Sequence, residues 1–297
     1  MRTNFTTVNR NDFIISLLFL VTAAFFMTGC NNAEVETEYP QTRILGHRGS
    51  GLTSEEFREN TFSSVVNAFE RLDGAEVDIQ CSKDGTIWLF HDANLPGNEL
   101  LCVPGATDRE LEELSRESEN FTITRLEEIF EYMMQMERTP ILSLDVKGHF
   151  TNGCFDTDNA PNSYFDLMAK SLSDLLARYP LHTHVLVETD YMYFLELLKK
   201  TEPKVELYLL GYSNFSERID KAFNSGYHGI SYNFKDEYLT HEEIELARQK
   251  GLKVQLWTIY NEEDMQEALS WKPDFIQTGI LKLGEKFLFT PHEEQGN

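Results

Sequence analysis

Short apolar segments rich in β-branched and aromatic residues alternate with amphipathic helical segments along most of this chain. The strand-like segments are residues 43–47, 75–81, 86–91, 140–146, 184–189, 204–211, 229–233, 253–259 and 274–279. Helical patterns at residues 61–72, 125–136, 164–179, 192–200 and 241–251 fill most of the gaps. Nearly continuous apolar strands separated by helices indicate a parallel sheet that is covered by helices. About eight such units close a barrel, so we predict an α/β fold of the TIM-type (β/α)8 class.

The second and third strand-like segments cannot be joined by a parallel crossover. Only the residues SKDG separate them, whereas a parallel connection needs about a dozen residues or more. Asp84 and Gly85 form a turn signal. The two segments therefore form a hairpin, or one of them leaves the barrel, and the sequence leaves both possibilities open. If the turn is centred between Lys83 and Asp84, Glu76 is expected to lie opposite His91.

The N-terminal segment has the features of an export signal. Arg2 and Arg10 precede an apolar run at residues 13–27, which has the length of a signal peptide and is short for a transmembrane helix. The run ends in MTGC, with Cys30 as its last residue. This ending resembles the lipobox of bacterial lipoproteins, in which the cysteine is acylated and becomes the new N-terminus. An ordinary signal peptide with an incidental cysteine is the alternative.

We therefore expect three segments in the chain. They are a lipoprotein signal peptide over residues 1–29, a lipidated tether over residues 30–41 and one barrel domain over residues 42–290. The tether is acidic and lacks apolar periodicity. Acylation of Cys30 would anchor the protein to a membrane of the bacterial cell envelope, facing the periplasm or exposed at the surface. The sequence does not indicate an oligomeric state.

Charge and cysteine content argue against two classes of function. The formal net charge of −23 argues against binding to nucleic acid, because the phosphates would be repelled. A small anionic substrate is compatible with this charge if local cations offset the field. Apart from Cys30, the cysteines are Cys81, Cys102 and Cys154. Their odd number and unpaired spacing predict no zinc site and at most one disulfide.

Charged side chains gather at the ends of the strand-like segments, where an α/β barrel builds its active site. His47 and Arg48 end the first segment. Glu76 and Asp78 are two residues apart on a strand, so they point to the same face. Two unpaired carboxylates facing a dry interior would repel each other. A hard divalent cation, Ca²⁺ or Mg²⁺, would relieve that repulsion.

A later strand end adds two more charged groups. In the stretch SLDVK, Asp145 and Lys147 lie on one face. Two histidines, two basic side chains and three carboxylates at one barrel mouth are suited to a phosphate ester. One histidine can accept a proton from the attacking oxygen while the other donates a proton to the leaving group. Arg48, Lys147 and a metal would stabilise the charge on the phosphoryl oxygens.

These motifs resemble, in order, the signature of the glycerophosphodiester phosphodiesterase family. The matching stretches are GHRG, ENT, EVD, SKDGTIWLFHD, LDVK and WTI, and the likeness runs from about residue 43 to residue 279. The resemblance implies a TIM-barrel hydrolase that needs one divalent cation and converts a glycerophosphodiester into glycerol 3-phosphate and an alcohol. The implied route is attack on phosphorus by the glycerol 2-hydroxyl, which forms a cyclic phosphate that water then opens.

The resemblance also implies roles for individual residues. His47 and His91 are the expected acid/base pair, and Arg48 is the expected phosphate-binding cation. The expected metal ligands are Glu76, Asp78 and Asp145. The expected substrate-binding residues are Arg48, Lys147 near the phosphate, Trp257 as a wall of the pocket, and Glu59 and Asn60, which shape the site.

The chain departs from the family pattern at several positions. The family usually has Glu where this chain has Asp145, so the third ligand is about one methylene shorter. Tyr260 is an extra residue after WTI, Gly279 stands where Asp is common, and Arg58 replaces a usual proline before ENT. These departures leave the headgroup specificity and the choice between Ca²⁺ and Mg²⁺ open.

Two other functions are weighed against this hypothesis. A related barrel phospholipase would act on intact lipid, and long apolar loops at the barrel mouth would favour it, but the sequence has few. A non-catalytic envelope lipoprotein would bind phosphodiesters without turnover, and the altered Asp145 and Gly279 would then be signs of decay. The presence of both His47 and His91 argues against that second alternative.

Overall fold

The alternating segments form a closed barrel of parallel strands. The computed structural model describes residues 42–96, 101–118, 121–149, 161–237 and 239–288, which all belong to one compact unit, Pro40–Asn297. The strands are β1 (Arg43–Gly46), β2 (Gly74–Cys81), β3 (Ile87–Leu89), β4 (Thr124–Arg125), β5 (Ile141–Val146), β6 (Val185–Thr189), β7 (Glu206–Gly211), β8 (Gly229–Asn233), β9 (Lys253–Ile259) and β10 (Phe275–Thr278).

Helices connect the strands and cover the outside of the barrel. They are α1 (Phe62–Arg71), α2 (Asp108–Glu117), α3 (Leu126–Met133), α4 (Pro161–Arg178), α5 (Met192–Thr201), α6 (Phe215–Ser225), α7 (His241–Gln249), α8 (Glu262–Ser270) and α9 (Leu281–Leu288), with a 3₁₀ turn at Val103–Gly105. Thr61 caps α1, because its side chain accepts a hydrogen bond from the Ser64 backbone N–H. Asn261 caps α8 in the same way, through the Asp264 N–H.

Eight strands close the barrel in the order β1-β2-β5-β6-β7-β8-β9-β10, and β1 pairs with both β2 and β10. Every one of these pairings is parallel. The predicted TIM-type fold is therefore confirmed. Its eight carboxyl strand ends lie at one rim, which is where the loops of such barrels carry function.

The third predicted strand lies outside the barrel as half of an antiparallel hairpin. Residues Ile79–Cys81 of β2 pair with β3, and β3 pairs in turn with β4. The side chains of this extension form a small core of their own around Trp88 and Leu111. The hairpin prediction is thus confirmed, and β3 is the strand that the barrel leaves out.

The predicted register of this hairpin is wrong by one residue. Ile79 lies opposite Leu89, and the Phe90 N–H donates to the Asp78 carbonyl oxygen at 2.9 Å. Glu76 therefore does not lie opposite His91. The reason is a three-residue loop centred on Asp84, since the Ser82 N–H bonds to the Thr86 oxygen and Gly85 has a φ of +90°. A glycine with positive φ after such a turn is the usual three-residue hairpin solution.

The barrel interior is arranged in layers along its axis. An apolar layer near the amino ends of the strands consists of Leu45, Ile141, Leu186, Tyr208 and Phe275. Polar side chains form the next layer toward the carboxyl ends of the strands, and the charged residues lie at the carboxyl rim itself. The main apolar core is outside the barrel, between the strands and the helices.

Two further properties concern cysteines and membranes. Cys81 is free and buried, and Cys102 is disulfide-bonded, within the limit of one disulfide set by the cysteine count. No helix within the described residues is long and apolar enough to cross a membrane. The predicted signal peptide, Cys30 and the tether lie outside the described residues.

Candidate active site

The charged residues of β1, β2 and β5 meet at the carboxyl rim of the barrel. Glu76 and Asp78 lie on the inward face of β2 and are each 1% exposed. Asp78 is in register with Asp145 on the neighbouring strand β5. The sequence therefore folds three carboxylates onto adjacent inward positions, and oxygen atoms of Glu76, Asp78 and Asp145 all lie within 4.8 Å of one another.

Glu76 lacks the hydrogen bonds that a buried carboxylate normally has. Its Oε2 accepts from the Arg48 backbone N–H at 2.9 Å. Its Oε1 is buried and has no hydrogen-bond partner among the described residues. Burial, and then the charges of Asp78 and Asp145, raise the pKa of Glu76 well above its ordinary value. An unsatisfied buried carboxylate of this kind is costly unless a cation compensates it.

Lys147 provides part of that compensation. Its Nζ lies 3.0 Å from Asp78 Oδ1 and 2.6 Å from Asp145 Oδ2. Burial opposes the charged form of Asp78, but Lys147 and Arg48 outweigh burial and hold the pKa of Asp78 below its usual range. For Lys147, burial opposes the charge, while Asp145 and Asp78 outweigh it and raise the pKa above its usual value. One ammonium thus serves two of the three carboxylates.

Arg48 is held at the rim by an unusual backbone conformation. Its φ is +53°, and Gly49 follows with a φ of +80°, so the chain turns back at the end of β1. The turn places the Arg48 guanidinium Nε 3.1 Å from Asp78 Oδ2. Its Nη1 lies 3.1 Å from Glu59 Oε2. Glu59 therefore fixes the outer side of a guanidinium whose inner side meets the acid cluster.

Asn60 clamps Asp78 from the other side. Its Nδ2 donates to Asp78 Oδ2 at 2.8 Å, and the Asp78 backbone N–H donates to Asn60 Oδ1 at 3.0 Å. Asn60 is buried and has a φ of +54°, a conformation that Asn tolerates better than most residues. These contacts explain how the stretch ENT shapes the site.

His47 lies beside the cluster at the end of β1. Its Nε2 is 3.8 Å from Glu76 Oε2, and its Nδ1 is buried without a hydrogen-bond partner in the described ranges. Burial lowers the pKa of His47 to about 3, although the charge of Asp78 acts in the opposite direction. The imidazole is therefore neutral at neutral pH in the metal-free protein, and one of its nitrogens is free to accept a proton.

His91 approaches the cluster from the loop after β3. Its side chain is 32% exposed, and its Nδ1 lies 2.8 Å from Asp92 Oδ1. His149, from the loop after β5, donates from Nε2 to the His91 carbonyl oxygen at 2.7 Å. The two imidazole centroids are 6.5 Å apart. Asp92 and His149 together fix the ring and the backbone of His91, even though His91 is not opposite Glu76.

Trp257 lies at the carboxyl end of β9, beside Tyr212 from the end of β7. The two ring centroids are 5.7 Å apart and the ring planes are at 77°. Trp257 Nε1 is buried and has no hydrogen-bond partner in the part of the chain that the structure describes. Tyr212 was not predicted as a site residue, because a single tyrosine after a strand carries no distinctive signal.

Two of the departures from the family pattern prove to be one feature. A Cβ atom on Gly279 would come within 2.1 Å of Tyr260 Cε1, so the ring of the extra tyrosine occupies the space that a side chain at position 279 would need. The pairing of β9 with β10 is irregular here, since Ile276 pairs with Leu256 but Thr278 pairs with Ile259. Tyr260, directly after β9, and Gly279, directly after β10, therefore accommodate each other next to this irregular pairing.

Glu188 is a buried carboxylate that was not predicted from the sequence. It lies on β6 in register with Asp145 and is 1% exposed. Ser143 Oγ donates to it at 2.8 Å and Gln277 Nε2 at 2.7 Å, and Ser231 Oγ donates to its other oxygen. Burial, and then the charge of Asp145, raise the pKa of Glu188 to about 7. The available signal was a glutamate near the end of residues 184–189, a strand-like segment that is otherwise mostly apolar on both faces.

Comparisons with known proteins agree with this geometry. Residues 47–279 match the Glycerophosphoryl diester phosphodiesterase family. A glycerophosphodiester phosphodiesterase of Caldanaerobacter subterraneus is 23% identical over 248 residues, which cover 80% of this chain and 94% of that protein. One from Bacillus altitudinis is 25% identical over 255 residues, with coverage of 80% and 94%.

Solved structures show the same fold. A putative glycerophosphodiester phosphodiesterase from Galdieria sulphuraria is 25% identical with a TM-score of 0.69, covering 86% of this chain and 100% of its own. A phosphodiesterase from Oleispira antarctica, solved with the product sn-glycerol-3-phosphate, is 18% identical with a TM-score of 0.66, covering 84% of this chain and 98% of its own. Because the family match spans most of the chain, the protein belongs to the glycerophosphoryl diester phosphodiesterase family.

Proposed function

We propose that this protein hydrolyses glycerophosphodiesters to glycerol 3-phosphate and an alcohol, with one divalent cation and with His47 and His91 as the acid/base pair. As a member of its family the chain is a phosphoric diester hydrolase. The buried Glu76 Oε1 supports the metal site most directly, because it has no hydrogen-bond partner within the described residues. Two further carboxylates lie close enough to share a cation with it.

The donor set suits a hard divalent cation. Glu76, Asp78 and Asp145 offer oxygen ligands, which Ca²⁺ and Mg²⁺ prefer. The distances of Lys147 Nζ from Asp78 and Asp145 indicate that these two carboxylates already attract positive charge. A bound cation would supply charge stabilisation of the phosphoryl oxygens and orientation of the diester. Asp145 is about one methylene shorter than the glutamate usual in the family.

The two histidines can exchange the protons that the reaction requires. His47 is neutral at neutral pH because burial lowers its pKa to about 3, so it can accept the proton of the glycerol 2-hydroxyl as that oxygen attacks phosphorus. His91, held by Asp92, can donate a proton to the oxygen of the leaving alcohol. The roles reverse when water opens the cyclic phosphate to glycerol 3-phosphate.

Arg48 and Lys147 neutralise the charge that develops on the phosphoryl oxygens. Both are already aligned by carboxylates, Arg48 by Glu59 and Asp78 and Lys147 by Asp145 and Asp78. Such prealigned cations stabilise a transition state because little reorganisation is needed when the charge appears. The net charge of −23 is thereby offset where the anionic substrate binds.

Release of glycerol 3-phosphate from glycerophosphodiesters, with and without a chelator, tests this proposal. We expect wild type to release it, the chelator to abolish release, and Mg²⁺ or Ca²⁺ to restore it. His47→Ala should lower kcat by about 10²- to 10⁴-fold. His241→Ala is the matched control, because His241 lies on α7 and stacks on Trp271. Equal rates for wild type and His47→Ala would overturn the catalytic assignment.

The alternatives are separated by the same assay. Tight calorimetric binding of a diester without turnover would support a non-catalytic binding protein, and release of headgroup from intact lipid alone would support a phospholipase. The family match and the grouping of both histidines with the acid cluster support neither of these.

Anchoring through an acylated Cys30 remains part of the proposal, on the strength of the sequence MTGC after the apolar run. Mass spectrometry of the protein expressed in a bacterial host should find a lipid on a new N-terminal cysteine at position 30. The Cys30→Ala variant should remain unlipidated and should leave the membrane fraction. An unmodified mature chain in the wild type would contradict the lipoprotein assignment.

A further inference from the structure

The segment directly after β5 carries two side chains of the site at the point where β5 leaves the sheet. Lys147 contacts two of the three carboxylates through its Nζ, and His149 donates to the His91 carbonyl oxygen. The pairing of β5 ends at Asp145 with β6 and at Val146 with β2. The carbonyl groups that follow therefore need hydrogen-bond donors from elsewhere.

Three side-chain hydroxyls donate to three consecutive carbonyl groups of this segment. The bonds run from Thr189 Oγ1 to Val146, from the Tyr164 hydroxyl to Lys147 and from the Tyr191 hydroxyl to Gly148. Thr189 is the last residue of β6, Tyr164 lies on α4 and Tyr191 directly precedes α5. We call these three residues the hydroxyl clamp, because they hold one short segment from three different elements.

The Tyr164 hydroxyl takes the place of a backbone hydrogen bond. The Lys147 N–H donates to the Ile79 carbonyl oxygen at 3.0 Å, and a continued parallel ladder would next join the Cys81 N–H to the Lys147 oxygen. Instead, the Cys81 N–H donates to the Tyr164 hydroxyl at 3.1 Å, and this hydroxyl donates to the Lys147 oxygen at 3.1 Å. Tyr164 thus ties Lys147 to β2 where β2 passes from the barrel into the hairpin.

Packing fixes the two tyrosines of the hydroxyl clamp. Phe165 is 1% exposed, and the centroid of its ring lies 5.2 Å from that of Tyr164 and 4.8 Å from that of Tyr191. Tyr164 itself is buried. Rings in a close-packed interior have few alternative positions, so both hydroxyls are presented to the segment at defined places.

Building on the proposed hydrolysis, we propose that Tyr164 and Tyr191 are positioning residues of the reaction. Tyr164 sets the backbone from which Lys147 places its ammonium group. Tyr191 sets the backbone of His149, which in turn holds the His91 carbonyl oxygen. Cations stabilise developing charge best when they are aligned in advance, and a displacement of about 1 Å far from the chemistry can cost about 10²-fold in rate. Loss of either hydroxyl should therefore slow the reaction although a phenyl ring still fills the space.

The first test removes the Tyr164 hydroxyl. Tyr164→Phe should lower kcat for release of glycerol 3-phosphate by about 10- to 100-fold. The loss should fall mainly on kcat rather than on KM, because the charge that Lys147 meets grows in the transition state. In a Lys147→Met background the same change should alter kcat by less than about twofold, since no ammonium is left to position. A hydroxyl that only stabilises the fold would lower kcat by the same factor in both backgrounds.

Tyr191→Phe is an independent variant that does not rely on the folding of Tyr164→Phe. It should lower kcat by about 10-fold, the low end for a supporting hydrogen bond, because it acts through two further residues. In a His149→Ala background the same change should alter kcat by less than about twofold, because the link to His91 is already lost.

Tyr193→Phe is the matched control, because it removes a hydrogen-bonded tyrosine hydroxyl from α5 that lies away from the segment. The Tyr193 hydroxyl donates to Asp166 Oδ1 at 2.8 Å, and its loss should leave kcat within about twofold of wild type. Thermal denaturation checks the folding of every variant.

Either of two results would overturn the positioning role. They are a kcat of Tyr164→Phe and of Tyr191→Phe within about twofold of wild type, and an equal loss with and without the residue that each hydroxyl positions. Absence of turnover by wild type with every diester would refute the proposed hydrolysis itself, and the positioning role would fall with it.

Discussion

Glu76 and Glu188 are both buried glutamates on inward faces of the barrel, and they have opposite hydrogen-bond environments. Each is 1% exposed. Glu188 accepts hydrogen bonds from side chains of three other strands, whereas Glu76 keeps a buried oxygen without a partner among the described residues. The same residue type at the same depth therefore serves two purposes. A satisfied carboxylate ties strands together, and the unsatisfied one is where we propose that a cation binds.

The largest expected effect concerns the acid cluster that contains the unsatisfied Glu76. Asp78→Asn keeps the shape of the side chain but removes the charge that Arg48 and Lys147 contact. We expect kcat/KM to fall by about 10³-fold or more, because both the ligand set and the alignment of two cations are lost. Steady-state release of glycerol 3-phosphate measures the change, with far-ultraviolet circular dichroism as the check on folding. A kcat/KM within about tenfold of wild type would show that the acid cluster is not needed for catalysis.

Replacement of the satisfied glutamate should affect folding instead. Glu188→Leu leaves Ser143 Oγ, Ser231 Oγ and Gln277 Nε2 without their shared acceptor. We expect the free energy of unfolding to fall by about 3 kcal/mol or more, since each buried donor left unpaired costs about 1–3 kcal/mol. Urea denaturation in the presence of a chelator measures this loss. A stability equal to that of wild type would show that the polar layer is not a stabilising element.

The titration of Glu188 sharpens the same point. Its pKa is raised from 4.5 to about 7 in the folded protein, so the folded state binds a proton more tightly than the unfolded state does. Its contribution to stability is therefore complete below about pH 4.5 and is lost as the pH rises through about 7. Glu188→Gln cannot titrate. The stability of wild type relative to this variant should fall by up to about 3 kcal/mol between pH 5 and pH 8.

The measurement for that prediction is denaturation of both proteins at both pH values, with metal removed. Subtracting the variant cancels the titration of groups that the two proteins share. A difference that stays constant, or that grows with pH, would contradict the raised pKa of Glu188.

A smaller effect on stability is expected at the contact between Tyr260 and Gly279, the residues that directly follow β9 and β10. Gly279→Ala introduces a methyl group into the space of the Tyr260 ring. We expect a loss of about 1 kcal/mol, at the low end for overpacking because the exposed ring can move. The double variant Gly279→Ala/Tyr260→Ala should recover most of the loss. Thermal denaturation of the four proteins of this cycle measures the coupling, and additive effects would show that the two positions are independent.

The sequence predicted the fold and the members of the acid cluster because both follow from local patterns. Apolar strands between helices leave few alternatives to a parallel barrel, and a two-residue spacing places Glu76 and Asp78 on one face. The predicted register of the hairpin was wrong by one residue, because a two-residue and a three-residue loop differ by one position and Gly85 marks a turn without fixing the length of its loop.

Residues that act through long-range packing were also beyond the sequence. Glu188 is satisfied by donors from β5, β8 and β10, which lie 43 to 89 positions away in the chain. Tyr212 gains its significance from a ring on β9. Such contacts depend on the closure of the barrel, and no local sequence motif predicts them.

Calorimetric titration of a divalent cation into metal-free protein tests the central claim most directly. Wild type should bind one ion per chain. Glu76→Gln, which removes the charge of the unsatisfied carboxylate, should weaken binding by more than the 10- to 100-fold typical of groups that only support a ligand. Glu188→Gln should bind within about tenfold of wild type, because Glu188 is already satisfied. Unchanged affinity in Glu76→Gln together with lost affinity in Glu188→Gln would contradict the account.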